Sequence, residues 1–137
     1  MLTLTKKEKS KITGIGKKFN LHFIILHGSY ALGSERPDSD LDIALVGEKV
    51  IPIESFFDLY GEISDAFEGH GIQDIDIKTL HHIDPLFRYL VVRDGVLLYG
   101  DPTEYEEFKA YAFRDFMDTS DLRQLELKMI IKRQNVL

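Results

Sequence analysis

The sequence predicts an α/β (α+β) fold: one small mixed sheet of about four strands, helices packed on it, and a C-terminal helical arm. Three observations carry this. Two apolar, partly β-branched runs of strand length, 21–26 and 41–46, flank a Gly-Ser break. A cleanly alternating segment, 72–80, follows a stretch whose apolar residues recur every three or four positions. The last third has helical spacing but is apolar on more than one face.

With 137 residues the chain is long enough for a real core and too short for a multidomain assembly, so we expect a single domain. Within it, 1–102 reads as the core and 103–137 as the arm. The composition, 44% hydrophobic and 29% charged, is that of a globular protein rather than a disordered one. No run approaches membrane-spanning length and the N-terminus lacks a secretion-type apolar segment, so the expectation is cytoplasmic residence without membrane contact. The absence of cysteine excludes disulfides, thiol catalysis and cysteine-bound zinc.

Net charge is −6, unevenly distributed. Residues 1–18 carry six lysines against Glu8, whereas the remainder holds 11 basic against 22 acidic residues. The first helix is a basic island, a solvated face or a patch for RNA, nucleotide or an acidic partner. The acidic body argues against nucleic acid as a direct substrate, because that affinity rests on neutralising phosphates.

In chain order, Thr5 and Glu8 match a capping box, and Ile12, Ile15 and Phe19 supply an apolar stripe, giving a helix over 6–18. Gly14 and Gly16 weaken its end, by about 1 kcal/mol each relative to alanine. The first strand then ends at Gly28-Ser29, where small residues let backbone N–H groups approach a ligand closely, as in an anion cradle. Ten residues separate Ser29 from Asp40. Asp40 and Asp42 open the second strand two positions apart, hence on one face and about 6.7 Å apart along the axis.

Two carboxylates about 4 Å apart would repel by about 4 kcal/mol at an effective dielectric near 20, unless a cation intervenes. Hard oxygen donors beside a phosphate cradle suit Mg²⁺, which binds through one or two carboxylates plus substrate phosphates. The pairing suggests phosphoryl or nucleotidyl transfer.

Over 50–67, Ile53, Phe56, Phe57, Tyr60, Ile63 and Phe67 predict an amphipathic helix packed on the sheet, with these aromatics as core. His70, between two glycines, reads as a solvent-facing turn residue. In 72–80, Ile75 and Ile77 share one face and Asp74, Asp76 and Lys78 the other. If this strand lies beside the one bearing Asp42, it adds a third carboxylate, able to take a proton from an attacking hydroxyl. Alternation alone leaves Asp74 and Asp76 both open. His81 and His82 lack the spacing of paired ligands.

Asp84-Pro85 starts a short helix through 92, Asp94-Gly95 turns, and 96–99 is the last strand. Thr103 and Glu106 form a second capping-box pattern for a helix carrying Tyr105, Phe108, Ala112 and Phe116 on one face, widened by Tyr111, Phe113 and Met117. After a break at 118–121, Leu122, Leu125, Leu127, Met129, Ile130 and Ile131 make the terminal helix apolar on several sides. It calls for cover, from its own domain, a second copy or another protein.

Gly-Ser, ten residues and Asp-x-Asp resemble the signature of the DNA polymerase β-like nucleotidyltransferase superfamily. The small size is similar to its minimal nucleotidyltransferase branch, the antitoxin partners of HEPN-domain ribonuclease toxins. The resemblance runs from about residue 21 to 125 and includes IDIKTLHHIDPLFRYLVVRDGVLLYG and the Arg-Asp-Phe-Met-Asp segment of the arm.

The resemblance implies a polymerase β-like fold, with Gly28 and Ser29 binding the triphosphate of ATP and Asp40, Asp42 and Asp76 holding two Mg²⁺ ions. Counted back from Pro85, Asp76 falls at the family's third carboxylate and Asp74 becomes the runner-up. The implied reaction moves AMP from ATP to a hydroxyl with loss of pyrophosphate. In the antitoxin branch the acceptor is a tyrosine of the HEPN toxin, whose ribonuclease activity is thereby silenced.

Two alternatives stand beside it: an antitoxin that neutralises by binding alone, and a transferase acting on a small molecule such as an aminoglycoside. The latter usually needs a second helical domain, for which this chain has little room. Tyr30 and Leu32 stand where the branch often has basic residues, which implies either a weaker grip on the triphosphate or compensation by Arg36 from the loop. His27 stands where an aromatic is usual and reads as a packed residue.

Overall fold

The computed structural model describes residues 2–136; Met1 and Leu137, the outer ends of the expected core and arm, lie outside the described residues. The sheet has four strands, β1 (Leu21–His27), β2 (Leu41–Gly47), β3 (Ile75–Thr79) and β4 (Val96–Tyr99), in the order β3-β2-β1-β4. β1 pairs antiparallel with β2 and β4, and β2 pairs parallel with β3, so the expected mixed four-stranded sheet is the observed one. The parallel step needs a crossover, supplied by α3 (Ile53–Ala66) and a 3-10 turn at Glu68–His70.

Alternation along the strands divides the core into two layers. On one face Ile24, Leu26, Leu41, Ile43, Leu45 and Ile77 pack against Ile12 and Ile15 of α1 (Lys6–Lys18) and Leu59, Ile63 and Ala66 of α3. On the other, Phe23, Ile25, Ala44, Val46 and Leu80 meet Val91 and Val92 of α4 (Pro85–Asp94) and Tyr105 and Ala112 of α5 (Pro102–Asp118). This explains why β1 and β2 read as continuous apolar runs: they are central and covered on both faces.

The α1 boundaries match the sequence reading, and both capping-box bonds form, Glu8 N–H to Thr5 Oγ1 at 3.1 Å and Thr5 N–H to Glu8 Oε1 at 2.9 Å. Gly16 has a packing reason. It is buried under the Tyr99 ring, which a Cβ would overlap.

Several expectations are corrected. α3 starts at Ile53, after Pro52, and not near residue 50. Of the residues in its expected stripe, Ile63 and the capping Phe67 are core and Phe56 packs beside them, but Ile53 is 67% and Phe57 70% exposed, and Tyr60 donates from the surface to Ile75 O at 3.2 Å. Spacings of three and four describe a stripe wider than this sheet can cover. His70 does not face solvent: its Nε2 meets a Glu8 carboxylate oxygen, pinning α1 to the 3-10 turn. β3 begins at Ile75, later than the alternation suggested. The second capping box does not form; Asp101 caps α5, accepting from Glu104 N–H at 2.9 Å, and helix begins at Pro102.

The arm breaks only at Thr119. Its hydroxyl donates back to Asp115 O at 2.8 Å, a bond that bends helices, and α6 (Ser120–Val136) continues from there. Arg123 latches the joint, donating to Phe116 O at 2.6 Å and to Thr119 Oγ1 at 2.5 Å while lying over the Phe116 ring. α6 does not dock on its own domain. Leu122, Leu125, Leu127, Met129, Ile130 and Ile131 are each about half exposed, 48–58%. Among the described residues no helix is long and apolar enough to cross a membrane.

Candidate active site

The candidate residues gather where β1 ends and β2 and β3 begin. Antiparallel register puts His27 opposite Asp42, and parallel register puts Asp42 opposite Asp76. Neighbouring strands lie about 4.8 Å apart and residues in register share a face, so His27, Asp42 and Asp76 form one row across three strands. The row rises from the face that α4 covers elsewhere. Asp74, the runner-up, precedes β3; its carbonyl accepts from Leu41 N–H at 2.9 Å and its side chain is exposed. Register thus separates two residues that alternation left equivalent.

Asp40 is not on the strand. It is exposed in the turn before Leu41, one step outside the position that a two-residue strand spacing requires. Its charge still bears on Asp42. Burial is the first cause holding the Asp42 carboxyl above its ordinary value; His27 opposes it, and Asp76 and Asp40 add to it. A carboxylate row that crowds its own charge is the arrangement a cation relieves.

The Gly-Ser break is built into that row. Gly28 has φ 73° and ψ −154°, a region open essentially to glycine alone, and a Cβ there would overlap the Asp42 carboxylate. Ser29 then opens a single helical turn, α2 (Ser29–Leu32), in which Ala31 and Leu32 N–H both donate to Gly28 O at 3.1 and 3.2 Å. The first N–H groups of such a turn have no intrahelical partner, so those of Ser29 and Tyr30 are available to an anion. Tyr30 itself packs against the α1/α3 core layer, and Arg36 is exposed in the following loop.

His27 was expected as a packed residue, and its ring meets Phe87 edge-on at 6.0 Å between centroids. Its Nε2 is buried without a hydrogen-bond partner, and burial lowers its pKa, so it is neutral at pH 7. Two further residues border the row. Lys78 lies 3.6 Å from Asp76 Oδ2, and its Nζ sits 5.2 Å from the Phe87 centroid. Alternation along 72–80 places Lys78 on the face of Asp76 without giving it a role, whereas no sequence signal marks Phe87. His81 serves the fold at the opposite end of β2, accepting from Gly47 N–H at 3.2 Å. A cleft of about 390 Å³ lined by Lys18, Asn20, Glu48 and Ile51 also lies at that opposite end.

The donor set fits Mg²⁺. The carboxylates of Asp42 and Asp76 are hard oxygen donors on an open surface, with the charge of Asp40 nearby. Among the described residues no three His, Cys, Asp or Glu side chains form a group that could by itself hold a metal ion, so the row offers two carboxylates rather than a three-ligand set. An open carboxylate row is what Mg²⁺ uses, since it keeps several waters and completes its shell with substrate phosphate.

Known proteins share both sequence and architecture. The profile described as polymerase beta, nucleotidyltransferase, matches residues 10–104. The protein adenylyltransferase MntA of Aphanizomenon flos-aquae is 26% identical over 125 residues, covering 85% of this chain and 81% of that protein. A putative protein adenylyltransferase of Methanocaldococcus jannaschii is 25% identical over 114 residues, 83% and 84% of the two chains. Among solved structures, a toxin-antitoxin crystal structure with AMP-PNP superposes with a TM-score of 0.73 at 22% identity, over 90% of this chain and 98% of that one. The complex of a tri-AMPylated Shewanella oneidensis HEPN toxin with its MNT antitoxin contributes a chain with TM-score 0.68 and 20% identity, over 92% and 98%. With the profile spanning more than half of the sequence, the chain belongs to the polymerase beta nucleotidyltransferase family.

Proposed function

We propose that this protein is a cytoplasmic, Mg²⁺-dependent adenylyltransferase that moves AMP from ATP to a tyrosine of a cognate HEPN ribonuclease toxin and so acts as the antitoxin. The observation that carries the reading is the pairing of Asp42 with Asp76 in register beside the Gly28-Ser29 turn. Relatives named protein adenylyltransferase, and the likeness to chains from toxin-antitoxin complexes, support it.

In this reading Asp40, Asp42 and Asp76 hold two Mg²⁺ ions, which when bound neutralise phosphate charge and activate the acceptor oxygen. Gly28 leaves the room in which Asp42 stands, and Ser29 with the N–H groups of its turn takes the triphosphate tail. The acceptor oxygen forms a bond to the α-phosphorus, the bond from that phosphorus to the bridging oxygen breaks, and pyrophosphate leaves. Asp76, at the edge strand and half exposed, takes the acceptor's proton. The 1–102 core performs the transfer, and the arm from 103 presents the toxin, within one domain because Tyr105 and Ala112 anchor it in the core.

The test is incubation with the toxin encoded beside it and Mg-ATP, followed by peptide mass analysis. One toxin tyrosine gains the mass of AMP, and Asp42→Asn and Asp76→Asn abolish the gain; no adduct with the wild-type chain overturns the reading. The exposed apolar rows of α6 favour one second reading, neutralisation by binding alone. Under it, an Asp40→Ala, Asp42→Ala variant still silences the toxin fully, whereas Leu125→Asp, Ile130→Asp does not.

A further inference from the structure

The carboxylate row carries a cation of its own. Lys78 stands two residues after Asp76 on β3, so both side chains leave the sheet on the same face. Its Nζ lies 3.6 Å from Asp76 Oδ2, and the Phe87 ring, 5.2 Å away, holds it there by a cation–π contact. Phe87 in turn abuts His27, the cross-strand neighbour of Asp42. The ammonium is therefore fixed between an aromatic wall and the acidic row, although nearly half exposed itself. An isolated surface pair of this kind is worth little. What distinguishes this one is its neighbour Asp42, whose carboxyl the charges of both Asp76 and Lys78 reach.

A lysine ammonium and a divalent ion compete for Asp76. Both draw on the same oxygen lone pairs, and two cations within several ångströms repel. We propose that Lys78 is a positioning residue that acts as the stand-in cation of the row: it screens Asp76 from Asp42 when no metal is bound, and it must leave Asp76 for a divalent ion to enter. Lys78 thereby sets the metal affinity of the free protein. The inference rests on the reading of Asp42 and Asp76 as metal-holding carboxylates.

The charge of Lys78 reaches further than its ion pair. Its positive charge also bears on the Asp42 carboxyl, where it works against the upward push of burial, and on the His27 ring. Removing it leaves the row with its repulsion unrelieved and its metal position less opposed. Lys78→Met keeps the apolar stem against Phe87 while deleting the charge, and Lys78→Gln does so with a polar end.

Mn²⁺ binding to the full chain, without nucleotide, is followed by the loss of the free-ion electron paramagnetic resonance signal. Lys78→Met and Lys78→Gln should each bind Mn²⁺ about tenfold more tightly than the wild type, equivalent to about 1.4 kcal/mol, and Lys78→Arg should stay near it. Without metal the two neutral variants should melt below the wild type, and saturating Mn²⁺ should close that gap. Unchanged or weaker Mn²⁺ binding in both neutral variants overturns the proposal. If Asp42→Asn abolishes Mn²⁺ binding while Lys78→Met leaves it unaltered, the metal reading stands and the role of Lys78 falls. If the wild type and both neutral variants bind no Mn²⁺, both fall together.

Discussion

Replacing Gly28 with alanine probes the junction on which the site depends. At φ 73° and ψ −154° an alanine pays strain of about 1–3 kcal/mol. Its Cβ would also fall on the Asp42 carboxylate, which must rotate or shift with β2 to make room. A displacement of about 1 Å at a reacting centre costs about 10²-fold in rate. Gly28→Ala should therefore lose about 2 kcal/mol in urea unfolding, a fall of roughly 5–10 °C in Tm, and about 100-fold in AMP transfer. Gly33→Ala is the matched control. Gly33 also has positive φ, 71°, but its added Cβ would meet nothing within 4 Å. It should lose about 1 kcal/mol of stability and keep its transfer rate. Two variants equal in activity would refute the clash with Asp42 as the reason for glycine at position 28.

Three further outcomes follow from the same geometry. Asp42→Asn should raise metal-free stability, by less than about 1 kcal/mol because the site is open to solvent, while lowering transfer by at least about 10²-fold; calorimetry beside the transfer assay reads both. Because the pKa of His27 is lowered by burial, the folded state favours neutral imidazole, and the stability this contributes is present above the ordinary imidazole value and lost as pH falls through it. The His27→Leu variant should accordingly lose less Tm than the wild type between about pH 7.5 and pH 5.5, and an identical loss would contradict the buried, unprotonated ring. Arg88→Ala removes the donor to Leu80 O and to Asp115 Oδ2, 3.2 and 3.1 Å, from a side chain 12% exposed. It should cost about 2–3 kcal/mol, measured by urea unfolding, with metal binding preserved.

Much of this was readable without coordinates, for local reasons. The capping box at Thr5, the Gly-Ser break and the apolar runs of β1 and β2 are decided by residues within a few positions of one another. The same holds for the proline that opens α4, whose Asp84 cap accepts from Leu86 N–H at 2.7 Å. The departures have two causes, a stronger local signal nearby and partners distant in the chain. Asp101 outcompeted Thr103 as the α5 cap because helix could start at Pro102, a position that needs no N–H donor. Phe57 and Ile53 fit the α3 stripe by spacing, yet a sheet with β3 at its edge offers them nothing to cover. His70 has no signal linking it to Glu8, 62 positions away.

The sequence alone determined the apolar runs of the strands and the chemical kinds present at the site, since each rests on short spacings that any fold of this chain must respect, while the family followed from its resemblance to known proteins. Tertiary structure alone decided which groups meet. Parallel register between β2 and β3 sets Asp76, and not Asp74, opposite Asp42, because a one-residue slip would send every side chain of β3 to the other face. The packing of α4 brings Phe87 to His27 and Lys78, and the exhaustion of the core by α5 leaves α6 uncovered. Pairing register and layer area are properties of elements distant in the chain, and no local pattern encodes them.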